Sequence, residues 1–437
     1  VTLSTIVALA SGPGPAGVSI IRISGPACTT VALRLTGGVP EPRRAKLARV
    51  VDLNNEPIDH ALVLFFPKPN SFTGEDVLEL QVHGGRAVVR DTIEACLGVS
   101  DVRLAEAGEF SRRAFMNGKM DLTAAEGLAD LVEAETAAQR RQALRQMDGE
   151  LADEMGRWRD AVIDCLADAE GDIDFPDEDL PPGLSDRARS RIHALKERLE
   201  SFLNESQRAE RVRTGFQVAI VGKPNAGKSS LINQLARRDA AIVSPIPGTT
   251  RDIVEVRLIL GGMVILISDT AGLRDSEDLI EAEGVRRARQ RAKEADLRLA
   301  LVTSHDDKSE FEDLMTYGDL WLLGQADRLA WADARVGELC VSSVTRLGLD
   351  ELEAILTQRA QADLGKFEAA PLTRLRHHEA VREGVAALDR ALTASVHAPE
   401  LVAEDLRLAA RALGRVTGRV DMEDVLDRLF SQFCIGK

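Results

Sequence analysis

Val218-Ala-Ile-Val-Gly-Lys-Pro-Asn-Ala-Gly-Lys-Ser229 runs from a short apolar strand into a glycine-rich loop, and Leu231, Ile232 and Leu235 then recur at helical spacing. Residues 222–229 match G-x-x-x-x-G-K-[ST] in the strand, loop and helix context that the motif requires. The glycines let backbone N–H groups curl around phosphate oxygens. Lys228 brings a cation to the β- and γ-phosphates, and the Ser229 hydroxyl can reach Mg²⁺. Asn225, Ala226, Gly227 and Ser230 complete the phosphate cradle. Apolar runs at Val264-Ile-Leu-Ile, Leu299-Ala-Leu-Val and Leu320-Trp-Leu-Leu alternate with helical stretches between Phe216 and about Leu356, the pattern of a parallel sheet.

Three further stretches fall in the order of a GTPase. Gly248-Thr-Thr-Arg-Asp252 offers Thr249 and Thr250 to the γ-phosphate and Mg²⁺. Asp269-Thr-Ala-Gly272 follows the strand at Val264 and supplies a Walker-B-type acid, with Thr270, Ala271 and Gly272 as the phosphate-sensing turn. Gly324-Gln-Ala-Asp327 stands where GTPases carry Asn-Lys-x-Asp. Asp327, which can accept from guanine N1 and N2, is kept, while the Asn and Lys positions are Gly324 and Gln325. Ser342-Ser343 stands where Ser-Ala-x closes the base site. The expected outcome is guanine preference with weakened affinity. Leu273 occupies the position where Ras-type enzymes hold the water-orienting Gln, so hydrolysis needs another acid, a partner residue or a monovalent cation.

Outward from this domain the texture changes. Residues 5–117 mix short β-branched runs (Thr5-Ile-Val-Ala, Val18-Ser-Ile-Ile-Arg-Ile, Ala61-Leu-Val-Leu-Phe-Phe, Val77-Leu-Glu-Leu-Gln-Val-His) with Gly/Pro clusters and a helix at Val88–Leu97, which predicts an α+β module. After Lys119, apolar residues at Leu122, Ala125, Leu128, Leu131 and Val132 predict helices. The pattern breaks at Asp174-Phe-Pro-Asp-Glu-Asp-Leu-Pro-Pro-Gly, and a further helix is expected from about Asp186 to Arg211. Residues 370–437 share the composition of 120–212, so the simplest arrangement is one helical domain split by an inserted α/β domain.

The 437 residues carry a formal net charge of −15, so the chain lacks the global cationic field that drives non-specific nucleic-acid binding, and any RNA contact must be local or shared with a partner. Its five cysteines (Cys28, Cys96, Cys165, Cys340, Cys434) are scattered and odd in number, which points to reduced thiols in a cytosol-like compartment and away from a zinc site. No window approaches a membrane span, so a soluble cytoplasmic protein is expected.

The chain resembles, almost end to end, the MnmE (TrmE) family of tRNA-modifying GTPases. The stretches that carry this are Val18-Ser-Ile-Ile-Arg-Ile-Ser-Gly25, Pro69-Asn-Ser-Phe-Thr-Gly-Glu-Asp-Val-Leu-Glu-Leu-Gln-Val-His-Gly-Gly85, Gly108-Glu-Phe-Ser-x-Arg-Ala-Phe115, Asn117-x-Lys-x-Asp-Leu122, Ile173-Asp-Phe-Pro176 and the terminal Phe433-Cys-Ile-Gly-Lys437. The resemblance implies an N-terminal α+β folate-binding and dimerisation domain (1–118), a helical domain in two parts (119–212 and 361–437) and an inserted P-loop GTPase domain (213–360). It implies a homodimer that works on tRNA with a flavin-dependent partner of the MnmG/GidA type, forming a heterotetramer. The pair would modify carbon 5 of the wobble uridine with a one-carbon unit from 5-formyltetrahydrofolate or another tetrahydrofolate derivative.

Carried over by position, the resemblance makes Arg22, Glu79, Lys119 and Lys437 the folate-pocket residues and places Cys434 beside the folate. It assigns K⁺ to Asn225, Ser244, Ile246 and Thr249, Mg²⁺ to Ser229 and Thr250, and a water-orienting role to Glu281, with Lys228 and Asp269 as the other catalytic positions. Two rival readings remain open at this point: a ribosome-assembly GTPase, which would need a basic RNA module that is not visible here, and a non-hydrolysing scaffold with a degenerate G domain.

Overall fold

The computed structural model describes residues 4–174, 186–236, 255–269, 289–328, 337–362, 372–394 and 399–418, together with 429, 430, 433 and 436. The chain divides into two compact units, one of residues 1–129, 145–195 and 383–437 and the other of residues 130–144 and 196–382.

The first unit opens with a sheet of β1 (Thr5–Leu9), β2 (Ser19–Ser24), β3 (Lys46–Val51), β4 (Pro57–Phe66), β5 (Val77–Val82) and β6 (Val102–Leu104) in the order β3-β4-β5-β2-β1-β6. Only β6 runs parallel to its neighbour, β1. Strand alternation separates the two faces: in β4, Ala61, Val63 and Phe65 are buried, whereas Leu62 is exposed. The buried face packs beneath α1 (Cys28–Thr36) and α2 (Arg86–Leu97), where Ile21, Ile23, Leu78 and Leu80 meet Val31, Leu35 and Cys96. The other face carries Arg22 on β2 directly opposite Glu79 on β5.

Next to this sheet, α3 (Glu109–Met116) buries Arg113 between two carboxylates, 3.0 Å from Glu75 and 2.8 Å from Glu109, while its guanidinium also donates to the Ser4 carbonyl at 2.9 Å. A buried arginine is tolerable only when paired and hydrogen-bonded in this way. The pairing ties the 69–76 loop to the helix. Further along, α6 (Glu150–Asp174) buries Leu151, Met155, Trp158, Val162, Cys165 and Ala169 at three- to four-residue spacing. That stripe lies along α11 (Pro399–Val416), which buries Leu406, Ala409, Leu413 and Val416.

The second unit holds β7 (Phe216–Val221), α8 (Lys228–Ala236), β8 (Glu255–Leu260), β9 (Met263–Asp269), β10 (Leu297–Val302), β11 (Leu320–Leu323), β12 (Glu338–Cys340) and α9 (Leu349–Gln361). Its sheet order is β12-β11-β10-β7-β9-β8, parallel throughout except for the antiparallel edge strand β8. Leu231, Ile232 and Leu235 of α8 and Leu349, Leu352 and Leu356 of α9 cover one face, and Ala292, Phe311 and Leu314 cover the other. Burial on both faces explains why these strands read as unbroken apolar runs. The chain winds outward from β7 in both directions, so a crevice opens at the carboxyl end of β7.

Candidate functional site

The phosphate-loop motif sits at that crevice. Gly222 leaves β7 so close to β10 that a Cβ at this position would lie 2.5 Å from the Leu301 carbonyl oxygen, which is why only glycine fits. The loop turns through positive φ at Asn225 (64°) and Gly227 (103°), a backbone course that gathers N–H groups into an anion-binding concavity. Ala226 is buried and its N–H donates to the Lys223 carbonyl at 3.2 Å. Lys228, the first residue of α8, is buried, and its ammonium donates to the carbonyls of Gly222 at 2.8 Å and Lys223 at 3.1 Å. The cation is thus held by backbone carbonyls of its own loop. Ser229 and Ser230 follow it on the exposed first turn of the helix.

Parallel pairing delivers the other elements of the site to the same edge. The backbone of Asp269 ends β9 in register with Ile220 of β7, one residue before that strand ends. On the other side of β7, the Gly324 N–H donates to the Val302 carbonyl at 2.8 Å, so the base-recognition stretch hangs on the end of β10. Asp327 there accepts a 2.6 Å hydrogen bond from the Ser342 hydroxyl, and the Arg328 guanidinium lies 3.6 Å from its other oxygen. The Ser342 oxygen in turn accepts from the N–H groups of Val344 at 3.2 Å and Thr345 at 3.1 Å. The two sequence-distant residues therefore form one hydrogen-bonded array, in which the Ser342 hydroxyl is fully engaged and the remaining acceptor capacity is that of the Asp327 carboxylate. At Gly324 a Cβ would stand 2.9 Å from Leu301 Cδ1, so an Asn there displaces that leucine side chain.

A second constellation lies on the face of the first unit's sheet opposite α1 and α2, where Ile6, Ala8 and Phe110 are buried and Arg22 and Glu79 are partly accessible. Arg22 Nε and Glu79 Oε1 are 2.9 Å apart, and the guanidinium lies 5.2 Å from the ring centre of Phe72 and 5.8 Å from that of Phe110. Lys119 is exposed and its stem runs beside Gly74, in the loop that carries Phe72. Gly436 packs against Leu9 and Ala10 at the end of β1, the strand next to the one that carries Arg22. Sequence reasoning did not single out Phe72 or Phe110 as partners of Arg22. Their signal was the motif spacing around Pro69–Gly85 and Gly108–Phe115, which says nothing of the ring contacts.

Ser244, Ile246, Gly248, Thr249, Thr250, Thr270, Ala271, Gly272, Leu273, Glu281, Cys434 and Lys437 lie outside the described residues, as does the side chain of Asp269. The described residues bring together the phosphate loop, the end of β9 and the Asp327–Ser342 pair in one unit, and Arg22, Glu79 and Lys119 in the other. Among the described residues no group of His, Cys, Asp and Glu forms a metal cluster, and hydroxyl, amide and phosphate oxygens would be the natural ligands of Mg²⁺ or K⁺ at the loop.

The Ser342 hydroxyl first, then a backbone hydrogen bond and last the Arg328 charge, hold the Asp327 carboxyl below the usual carboxylate range. The acceptor form is thus present above that lowered value and is lost only as pH falls through it. In Ser342→Ala the preference for guanine over adenine nucleotides is expected to fade at a higher pH than in the parent chain. Nucleotide competition between about pH 7 and pH 4 checks this, and coincident pH profiles would show that the hydroxyl does not support the carboxylate.

The chain was compared with known proteins. The profile of the MnmE helical domain matches residues 122–434, and that of the GTP-binding protein TrmE N-terminus matches residues 5–119. A tRNA modification GTPase MnmE of Rhodospirillum rubrum is 51% identical over 459 aligned residues, covering 100% of each chain. Proteins of the same name from Maricaulis maris (50% identical, 99% of this chain and 100% of that one) and Hyphomonas neptunium (49%, 99% of each) match equally fully. Among solved structures, the G domain of the T. maritima FeoB iron transporter is 25% identical over 33% of this chain and 99% of its own, with a TM-score of 0.28. Matched over its whole length at about half identity, with both family profiles in sequence order, the chain belongs to the MnmE family of tRNA modification GTPases.

Proposed function

We propose that the chain is a GTP-hydrolysing switch that gates modification of carbon 5 of the wobble uridine in tRNA, acting as a homodimer with a flavin-dependent partner. The observation that carries the first half of this reading is the buried Lys228 seated in its own loop at the carboxyl edge of a parallel sheet. There the loop N–H groups and the ammonium meet the phosphates, while the Asp327–Ser342 array faces the base. Asp269 and Thr250 stand at the motif positions for the metal and γ-phosphate, and Ser229 is the hydroxyl for Mg²⁺.

Family membership supports the second half. The 2.9 Å Arg22–Glu79 pair beside two aromatic rings suits a flat heterocycle that offers both donors and acceptors, as a pterin does. A tetrahydrofolate derivative would supply the one-carbon unit when bound, held by Arg22, Glu79 and Lys119, with Lys437 as the fourth residue that family membership assigns to it. The exposed Leu47 and Leu62, partners across β3 and β4, leave apolar surface on that sheet for a second copy. No helix among the described residues is long and apolar enough to cross a membrane.

Mass spectrometry of wobble nucleosides tests the role in modification. A strain lacking this chain should lose the carbon-5 group, and the chain carrying Lys228→Ala should fail to restore it; an unchanged nucleoside profile would contradict the reading. Hydrolysis should depend on potassium, because Leu273 cannot orient water while Asn225 presents an exposed amide in the loop. Steady-state turnover is expected to be at least about tenfold faster in K⁺ than in Na⁺, and equal rates in the two salts would remove the cation from the account.

A further inference from the structure

We propose that Lys223 and Asp307 form a positioning pair for the phosphate loop, clamping its first turn to the end of β10 so that the loop N–H groups and Lys228 are already in place when a nucleotide arrives. This rests on the reading of residues 222–229 as the nucleotide site.

Lys223 occupies a position that the motif leaves open, yet its ammonium is bridged by two carboxylates, 2.7 Å from Asp307 Oδ1 and 2.7 Å from Glu310 Oε1. Both acids lie on the short 3-10 helix His305–Glu310, which starts just after β10. Asp307 is itself fixed: it is buried, and its other oxygen accepts from Ser304 N–H at 2.9 Å and from the N–H and hydroxyl of Thr303, each at 3.1 Å. Burial pushes the Asp307 carboxyl up, but Lys223 and the Thr303 donors outweigh it and hold the group below the usual range; the same pairing raises the Lys223 ammonium, so both stay charged at neutral pH.

The clamp matters because of what the Lys223 backbone does. Its carbonyl accepts from Ala226 N–H at 3.2 Å and from the Lys228 ammonium at 3.1 Å, so one peptide group sets both the turn of the loop and the resting place of its cation. Gly222 already presses against the Leu301 carbonyl, and the Lys223 side chain fixes the next residue to the helix that follows the same strand. Two successive loop residues are therefore referenced to β10. Because the ammonium is taken by carboxylates, Lys223 acts through its backbone and not as a phosphate ligand.

Equilibrium titration of the full-length chain with fluorescent GDP and GTP analogues tests this, with melting temperatures recorded for every variant. Lys223→Met and Asp307→Asn should each weaken GDP and GTP alike, by about tenfold, the scale of a charge-assisted hydrogen bond. The double variant should lose no more than the worse single one, because the two side chains act as a unit, and Lys223→Arg should stay within about twofold of the parent, since it keeps the charge. The preference for GTP over ATP should not change in any of them. Wild-type affinity in Lys223→Met, additive losses in the double variant, or a loss confined to GTP would each overturn the proposal. If Asp307→Asn fails to fold, Glu310→Gln replaces it and should cost a smaller, equal factor for both nucleotides; no loss there would likewise count against the clamp. Lys228→Ala separates the two levels of the argument: if it binds as well as the parent, the nucleotide-site reading itself falls, whereas its loss of binding beside an intact Lys223→Met refutes only the positioning role.

Discussion

The contact on which the nucleotide half of the molecule depends is between two backbones: Gly222, leaving β7, lies against the carbonyl of Leu301 near the end of β10. Parallel strands end on the same side of a sheet, so packing the exit of β7 onto the exit of β10 gathers the phosphate loop and the base-recognition stretch at one edge. The next carbonyl, that of Val302, holds Gly324, while Asp269 terminates the strand on the opposite flank of β7. The apolar layers on both faces bury the strands that end at this edge.

The other unit uses its sheet differently. One face is spent on the core beneath α1 and α2, and the opposite face presents Arg22 and Glu79 as a cross-strand pair backed by aromatic rings. The buried Arg113 network secures the loop that contributes Phe72, because Arg113 binds Glu75 of that loop while Glu109 and the Ser4 carbonyl satisfy the rest of its guanidinium. Gly436 packs against Leu9 at the end of β1. A constellation drawn from separate strands and a loop in this way depends on the whole unit being folded.

Much of this was legible in the sequence, and the residues show why. The strand-loop-helix run at Val218–Leu235 is local, so its pattern survives without any tertiary information. The long apolar runs of β9, β10 and β11 were read for the same reason. Four strands were not. Lys46–Val51 is an edge strand with half of its residues exposed, Val102–Leu104 and Glu338–Cys340 have three residues each, and Glu255–Leu260 alternates charge with apolar residues. The Gly261-Gly262 pair, with φ of 58° and 81°, marks the hairpin that joins this last strand to β9 and was the available signal. Motif spacing likewise gave Asp327 and Ser342 separately, but not the hydrogen bond between them, since a contact between residues 15 positions apart follows from the fold alone. The Lys223–Asp307 pair was illegible for the same reason: nothing in a variable motif position announces its partner.

The departure at Gly324-Gln325 bears hardest on the proposed function, in which guanine choice rests on Asp327 with the Ser342 hydroxyl bonded to it. The most direct measurement is calorimetric titration of the full-length chain with GTP and with ATP at neutral pH in the presence of Mg²⁺. The account requires one GTP to bind per chain and ATP to leave that site essentially unoccupied at the same concentration. Equal binding of the two nucleotides, or GTP binding that persists with its preference intact in Asp327→Ala, would contradict it.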